Sequence, residues 1–304
     1  MPTNKIPGKH WDATPLLFTV LLVPLVTFTI SYTISLTTSR NGVYLMEYPM
    51  YFLSSSIESK PASNVGTFGL SLSCAAVPLT AFIRHARVKM ATYAIKDIHQ
   101  REQARTLNTY ALKVVVVAAI AGVGVASFQS VTDKCGGTMI IVGIHGMFAL
   151  TFFVGGMRYC LLQYNIDQLV PSLGSKRERM LRNFFAKATV VQLIMLGVLI
   201  VVAAVIYVTS GGSAANNRPN NSTIPNDNQF NTSELSDSIK IVVFIMSVFE
   251  ITLLMTFMST FVTFYDSFST TSFAIVVMDS SRTYSLHEKI VSDGASKEVG
   301  IEME

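Results

Sequence analysis

The sequence predicts an all-α integral membrane protein, a bundle of six transmembrane helices with both termini in the cytosol. Three observations predict it. Half of the 304 residues are hydrophobic and only 14% are charged, where a soluble domain carries about a quarter. Six separate stretches are apolar over the roughly 20 residues that a helix needs to cross a bilayer. Lysine and arginine crowd onto the connections of one side, which the positive-inside rule assigns to the cytosol. The chain divides into a six-helix transmembrane domain, 1–268, and a polar cytosolic tail, 269–304.

The first span covers about 15–36. Its run "PLLFTVLLVPLVTFTI" is long for the core of a signal peptide, and no small-residue cleavage site follows. It therefore reads as a retained helix. The second, about 65–84, ends where a basic connection begins, with Arg84, Arg87, Lys89, Lys96, Arg101 and Arg105. The third, about 107–129, carries Ala118, Gly122 and Ala126 at helical spacing. The fourth, about 138–162, carries Gly146, Gly155 and Gly156. Lipid tails are as apolar as leucine, so close backbone approach at small residues holds such helices together better than apolar bulk does.

A second basic connection follows, with Lys176, Arg177, Arg179, Arg182 and Lys187, and then the fifth span, about 188–208. With Lys5 and Lys9, the N-terminus and the two connections of this side hold thirteen cationic residues. The other holds five: Arg40, Lys60, Lys134, Arg218 and Lys240. The sixth span, about 240–264, carries Thr252, Thr256, Thr260 and Thr263 in a stripe, which reads as helix-packing hydroxyls rather than as a pore lining. The connection before it, 209–238, is polar and Asn-rich. It holds three N-glycosylation sequons, at Asn220, Asn221 and Asn231, on the side opposite the basic connections.

Composition excludes several function classes. Three cysteines, without Cys-x-x-Cys or Cys/His spacing, make neither a disulfide framework nor a metal site. No nucleophile elbow, zinc-protease motif or phosphate loop occurs. No cofactor and no nucleic acid is expected, and the chain reads as a non-enzyme. Two ionisable residues lie deep in the spans. His145 sits about 10 Å along the fourth helix from its outer end, and Glu250 about 15 Å along the sixth. A carboxylate at such depth is costly unless it is turned inward and partnered. Glu250 is therefore expected to face the bundle interior and to pair with His145 or with Gln129, at the outer end of the third span.

Four stretches resemble the DRAM (damage-regulated autophagy modulator) and Frag/Sfk-like membrane proteins, which share a domain with a yeast cell-wall biogenesis protein. "YFLSSSIESKPASNVGTFGLSLS" is similar to that family's outer loop and second helix, with Ser55 and Ile57 where the family has an acid and a glycine. "VASFQ", ending at Gln129, resembles the end of its third helix. "HGMFALTFFVGGMRYCLLQ", His145–Gln163, keeps the spacing of its His, paired glycines, Tyr and Gln. "FEITLLMTFMSTFVTFYDSF" resembles its last helix. The resemblance implies six membrane helices and a role in autophagy and lysosomal membranes, in recruitment of lipid kinases at the plasma membrane, or in handling GPI-anchored lipids.

The reading that follows is a multi-pass protein of an endomembrane (lysosome) or the plasma membrane that modulates autophagy or membrane trafficking. It would offer anionic lipids or a peripheral cytosolic protein the basic residues Arg84, Arg87, Lys89, Lys176, Arg177, Arg179 and Arg182. The alternatives are an ion channel or transporter using Glu250 and His145, and a lipid- or GPI-handling protein.

Overall fold

A computed structural model describes residues 10–38, 61–128, 138–209, 237–269 and 272–274. It is an all-helical bundle in which six helices are long and apolar enough to cross a membrane. They are α1 (Thr14–Thr38), α2 (Ala62–Thr92), α3 (Ile98–Ser127), α4 (Thr138–Leu169), α5 (Lys176–Thr209) and α6 (Asp237–Val262). A short helix, α7 (Tyr265–Ser269), follows α6. Two three-residue strands, β1 (His10–Asp12) and β2 (Ser272–Ala274), pair antiparallel with Trp11 opposite Phe273. That pairing brings the segment before α1 and the segment after α6 to one end of the bundle.

Each helix packs on the next in chain order, and α6 returns to α1, closing a ring. Small side chains set the approaches. A Cβ on Gly69 of α2 would collide with Thr27 of α1. On either side of that crossing, Ser31 Oγ donates to Ala62 O (3.4 Å) and Ser73 Oγ to Val20 O (3.5 Å). Gly122 of α3 lies against Cys74 of α2 and Phe152 of α4. The adjacent Gly155 and Gly156 face different partners, Ala118 on α3 and the Phe257 ring on α6. Successive residues on a helix point about 100° apart, so one glycine pair serves two helix contacts.

The helices run past the expected span ends at the basic end. Connections expected over 84–106 and 163–187 shrink to 93–97 and 170–175. Hydropathy marks where a chain leaves lipid, whereas a helix ends where its caps lie. Asp97 caps α3, its carboxylate accepting from the His99 N–H at 2.9 Å. At α5, Ser175 Oγ accepts from Glu178 N and Glu178 Oε2 accepts from Ser175 N, both at 3.2 Å, a reciprocal capping box. Gly174 before it has φ +136°, a conformation open to glycine.

The threonine stripe of α6 is satisfied on its own backbone. Thr252 donates to Val248 O, Thr256 to Thr252 O and Thr260 to Thr256 O (2.7–3.1 Å), and Thr263 to Thr260 O (2.6 Å).

Candidate functional site

The basic end holds a buried charge cluster built from four parts of the bundle. Arg84 comes from α2, Gln163 and Asp167 from α4, Glu178 and Arg182 from the start of α5, and Thr263 and Phe264 from the exit of α6. Arg84 and Arg182 are both fully buried. Asp167 stands between them. Its Oδ1 accepts from Arg84 Nη2 at 3.1 Å, and its Oδ2 accepts from Arg182 Nε.

The remaining guanidinium N–H groups reach oxygens around them. Arg84 Nε donates to Gln163 Oε1 (3.3 Å), and Arg84 Nη1 and Arg182 Nη2 both donate to Leu173 O (3.4 Å each). Arg182 Nη1 donates to Thr263 O at 2.7 Å and lies 3.9 Å from Glu178 Oε2. Two cations therefore face two carboxylates, and no net charge is buried. The Phe264 ring lies beneath both guanidinium carbons, at 4.7 Å from Arg84 and 5.5 Å from Arg182, a cation–π arrangement that gains strength where water is excluded.

Below the cluster a column of aromatic rings ties α4 to α6. Phe152 meets Phe257 edge-on and Tyr159 stacks on Phe261 at 5.4 Å. Phe257, Phe261, Phe264 and Phe268 contact one another in succession. Cys160 Sγ and Thr260 Oγ1 bond at 3.3 Å. The turn between α2 and α3 is pinned separately. Asn108 Nδ2 donates to His85 O (2.9 Å), Gln100 Nε2 to Leu169 O (2.8 Å), and Arg105 Nε to Thr92 Oγ1 (3.2 Å) with its Cζ 4.9 Å from the Tyr93 ring.

Among known proteins, the model of the Frag1/DRAM/Sfk1/Cwh43P N-terminal domain matches residues 13–271. The chain belongs to that family. No curated protein and no solved structure matches it. The match spans all six membrane helices and the whole charge cluster, so the chain is an integral, multi-pass membrane protein of the Frag1/DRAM type.

The family-like stretches acquire physical roles in this bundle. In His145–Gln163, the glycine pair sets two helix approaches, Tyr159 begins the ring column and Gln163 holds Arg84. In the last helix, the phenylalanines form that column.

The expected surface cations divide. Lys89, Lys176 and Arg177 are exposed, and Arg87 and Arg179 are half-buried. Arg84 and Arg182 do not face lipid or a partner: both are spent on Asp167 inside the bundle. The reason is helix phase. Arg182 lies four residues beyond Glu178 on the inward face of α5, and Arg84 lies on the inward face of α2 opposite α4.

The expected intramembrane group draws on neighbouring helices. Helices α4 and α6 are neighbours, and counting seven residues back from Phe152 and from Phe257 reaches His145 and Glu250. The contact resolved for His145 is to α3, where its Nδ1 lies 2.6 Å from Phe128 O at the helix C-terminus. Glu250 is half-buried and interacts with a partner. Gln129, the sequons at Asn220, Asn221 and Asn231, and the tail beyond Ala274 lie outside the described residues.

Asp167 carries the site, and hydropathy hid it by assigning it to a loop. Its signal was a polar stripe, Tyr159, Gln163 and Asp167, spaced by four residues and running off the fourth span. Glu178 and Arg182 repeat that spacing on α5. Among the described residues no three His, Cys, Asp or Glu side chains converge as a metal site.

Proposed function

We propose that the protein is a non-enzymatic membrane scaffold whose working surface is the basic end, facing the cytosol. There it modulates autophagy or membrane trafficking by holding anionic lipid or a peripheral protein. One observation carries the reading. Short connections hold the exposed Lys89, Lys176 and Arg177 over a charge cluster that fixes four helix ends together. Such cations are presented at defined positions rather than on long mobile loops. Each is attracted to an anionic leaflet by about 1 kcal/mol. The family membership supports the same reading. The lysosomal or plasma membrane is the proposed compartment, and a tagged copy locates it.

In cells lacking the protein, re-expression of wild type should restore autophagic flux. The variant Lys89→Gln, Lys176→Gln, Arg177→Gln should reach the same membrane at the same abundance and restore little. Full restoration by the variant would overturn the reading.

The orientation has its own check. Glycosidase treatment should lower the apparent mass, and replacing Asn220, Asn221 and Asn231 should abolish the change. A C-terminal tag protected from protease in intact organelles would reverse the topology.

A further inference from the structure

The first three turns of α5 present a surface that the charge cluster does not use. At about 100° per residue, Lys176, Arg177, Met180, Leu181, Phe184 and Lys187 fall within one face about 140° wide. All six are exposed, Met180 by 64% and Phe184 by 63%. Glu178, the acid of this stretch, points the other way, into Arg182. No described carboxylate lies on this face.

Depth makes the apolar side chains notable. From Val208 back to Lys187 the helix rises roughly 31 Å, about the thickness of the hydrocarbon core. Lys187 therefore stands at the hydrocarbon boundary. Phe184, Leu181 and Met180 rise through the headgroup layer, with Lys176 and Arg177 above them. Cations above and below an apolar patch, on a single helix face, are the pattern of an interfacial segment rather than of a water-exposed or lipid-buried one.

We propose that this face of α5 seats an anionic phospholipid of the basic-end leaflet. Its phosphate would lie between Lys187 and the Lys176–Arg177 pair, its glycerol and ester groups against Phe184, Leu181 and Met180, and its acyl chains would run down past Lys187 into the hydrocarbon. Charge complementarity selects this occupant: the face carries three cations, and a zwitterionic lipid would leave them uncompensated. The apolar patch excludes a free anion, which would use only the cations. This deepens the proposed function by naming the lipid class and its seat. It rests on the membrane reading of the chain, and its readout on purified protein is independent of autophagic flux.

The test is native mass spectrometry of the purified full-length protein in detergent, with lipid retention as readout. Wild type should retain phosphatidylserine and release phosphatidylcholine. The variant Lys176→Gln, Arg177→Gln, Lys187→Gln should retain about a hundredfold less phosphatidylserine, three cations at about 1 kcal/mol each. Met180→Ser with Phe184→Ser, which removes no charge, should also reduce retention, and all six positions are exposed, so folding should persist. Removing three cations elsewhere, by Lys96→Gln, Lys113→Gln and Arg158→Gln, should leave retention unchanged. Equal loss in that control, undiminished retention in the α5 variants, or displacement of the lipid by inorganic phosphate or glycerophosphoserine would each overturn the proposal.

Discussion

Asp167→Ala should be the most damaging single substitution in this protein. The carboxylate answers two fully buried guanidiniums, Arg84 and Arg182. Removing one partner of a buried ion pair costs about 3–5 kcal/mol, because the other charge stays buried without compensation. Here one substitution removes the carboxylate shared by two cations, and only Glu178, 3.9 Å from Arg182 Nη1, remains. The purified variant should unfold at a markedly lower temperature, and its folded yield should fall sharply. Asp167→Asn should rank close to it, since the amide keeps the shape and loses the charge. Removing every charge together, by Arg84→Met, Arg182→Met, Asp167→Leu and Glu178→Gln, should recover part of the loss, because no unpaired charge then remains. Added salt should change little, since buried pairs are screened far less than exposed ones. Wild-type stability in Asp167→Ala would show that the cluster holds nothing together.

The second large effect is expected where α1 meets α2. Gly69→Ala places a methyl group on the hydroxyl and methyl of Thr27, a β-branched side chain that is itself buried and cannot turn aside. Overpacking of this kind costs about 1–3 kcal/mol, and Gly69→Leu should separate the two helices altogether. The pairing predicts its own rescue. Thr27→Gly in the Gly69→Ala background opens the space and should restore most of the unfolding temperature. If Gly69→Leu melts like wild type in detergent, α1 does not dock at this crossing. The flanking bonds from Ser31 and Ser73 are long, at 3.4 and 3.5 Å, so they cannot hold α1 once the close approach is lost.

These two substitutions separate what was legible from what was not. Gly155 and Gly156 were legible, because small residues inside an apolar run are suited to close approach, whereas Gly146, read the same way, is exposed and meets no neighbour. The stripe of Ala118, Gly122 and Ala126 was legible for the same reason, and both sets lie at helix contacts. Gly69 was not singled out, since nothing in the local sequence says that Thr27 will cross over it. Thr252, Thr256, Thr260 and Thr263 read as packing hydroxyls. In the bundle each bonds its own helix backbone, and Thr260 and Thr263 also meet Cys160 and Arg182.

Hydropathy along the sequence was enough to find the six helices that are long and apolar enough to cross a membrane. The hydrocarbon core admits only backbone that satisfies its own hydrogen bonds, so apolar length translates directly into helix. The family resemblance was also visible there, because its glycines, ring residues and Gln163 are local patterns. Which cations belong to the surface depended on how the helices pack. Arg182 and Arg177 lie in one basic run and read alike. They differ by the direction their side chains take from α5, one toward Asp167 and one away from the bundle. That direction is set by helix phase and by a carboxylate fifteen residues away on another helix, information that charge counting along a chain does not contain.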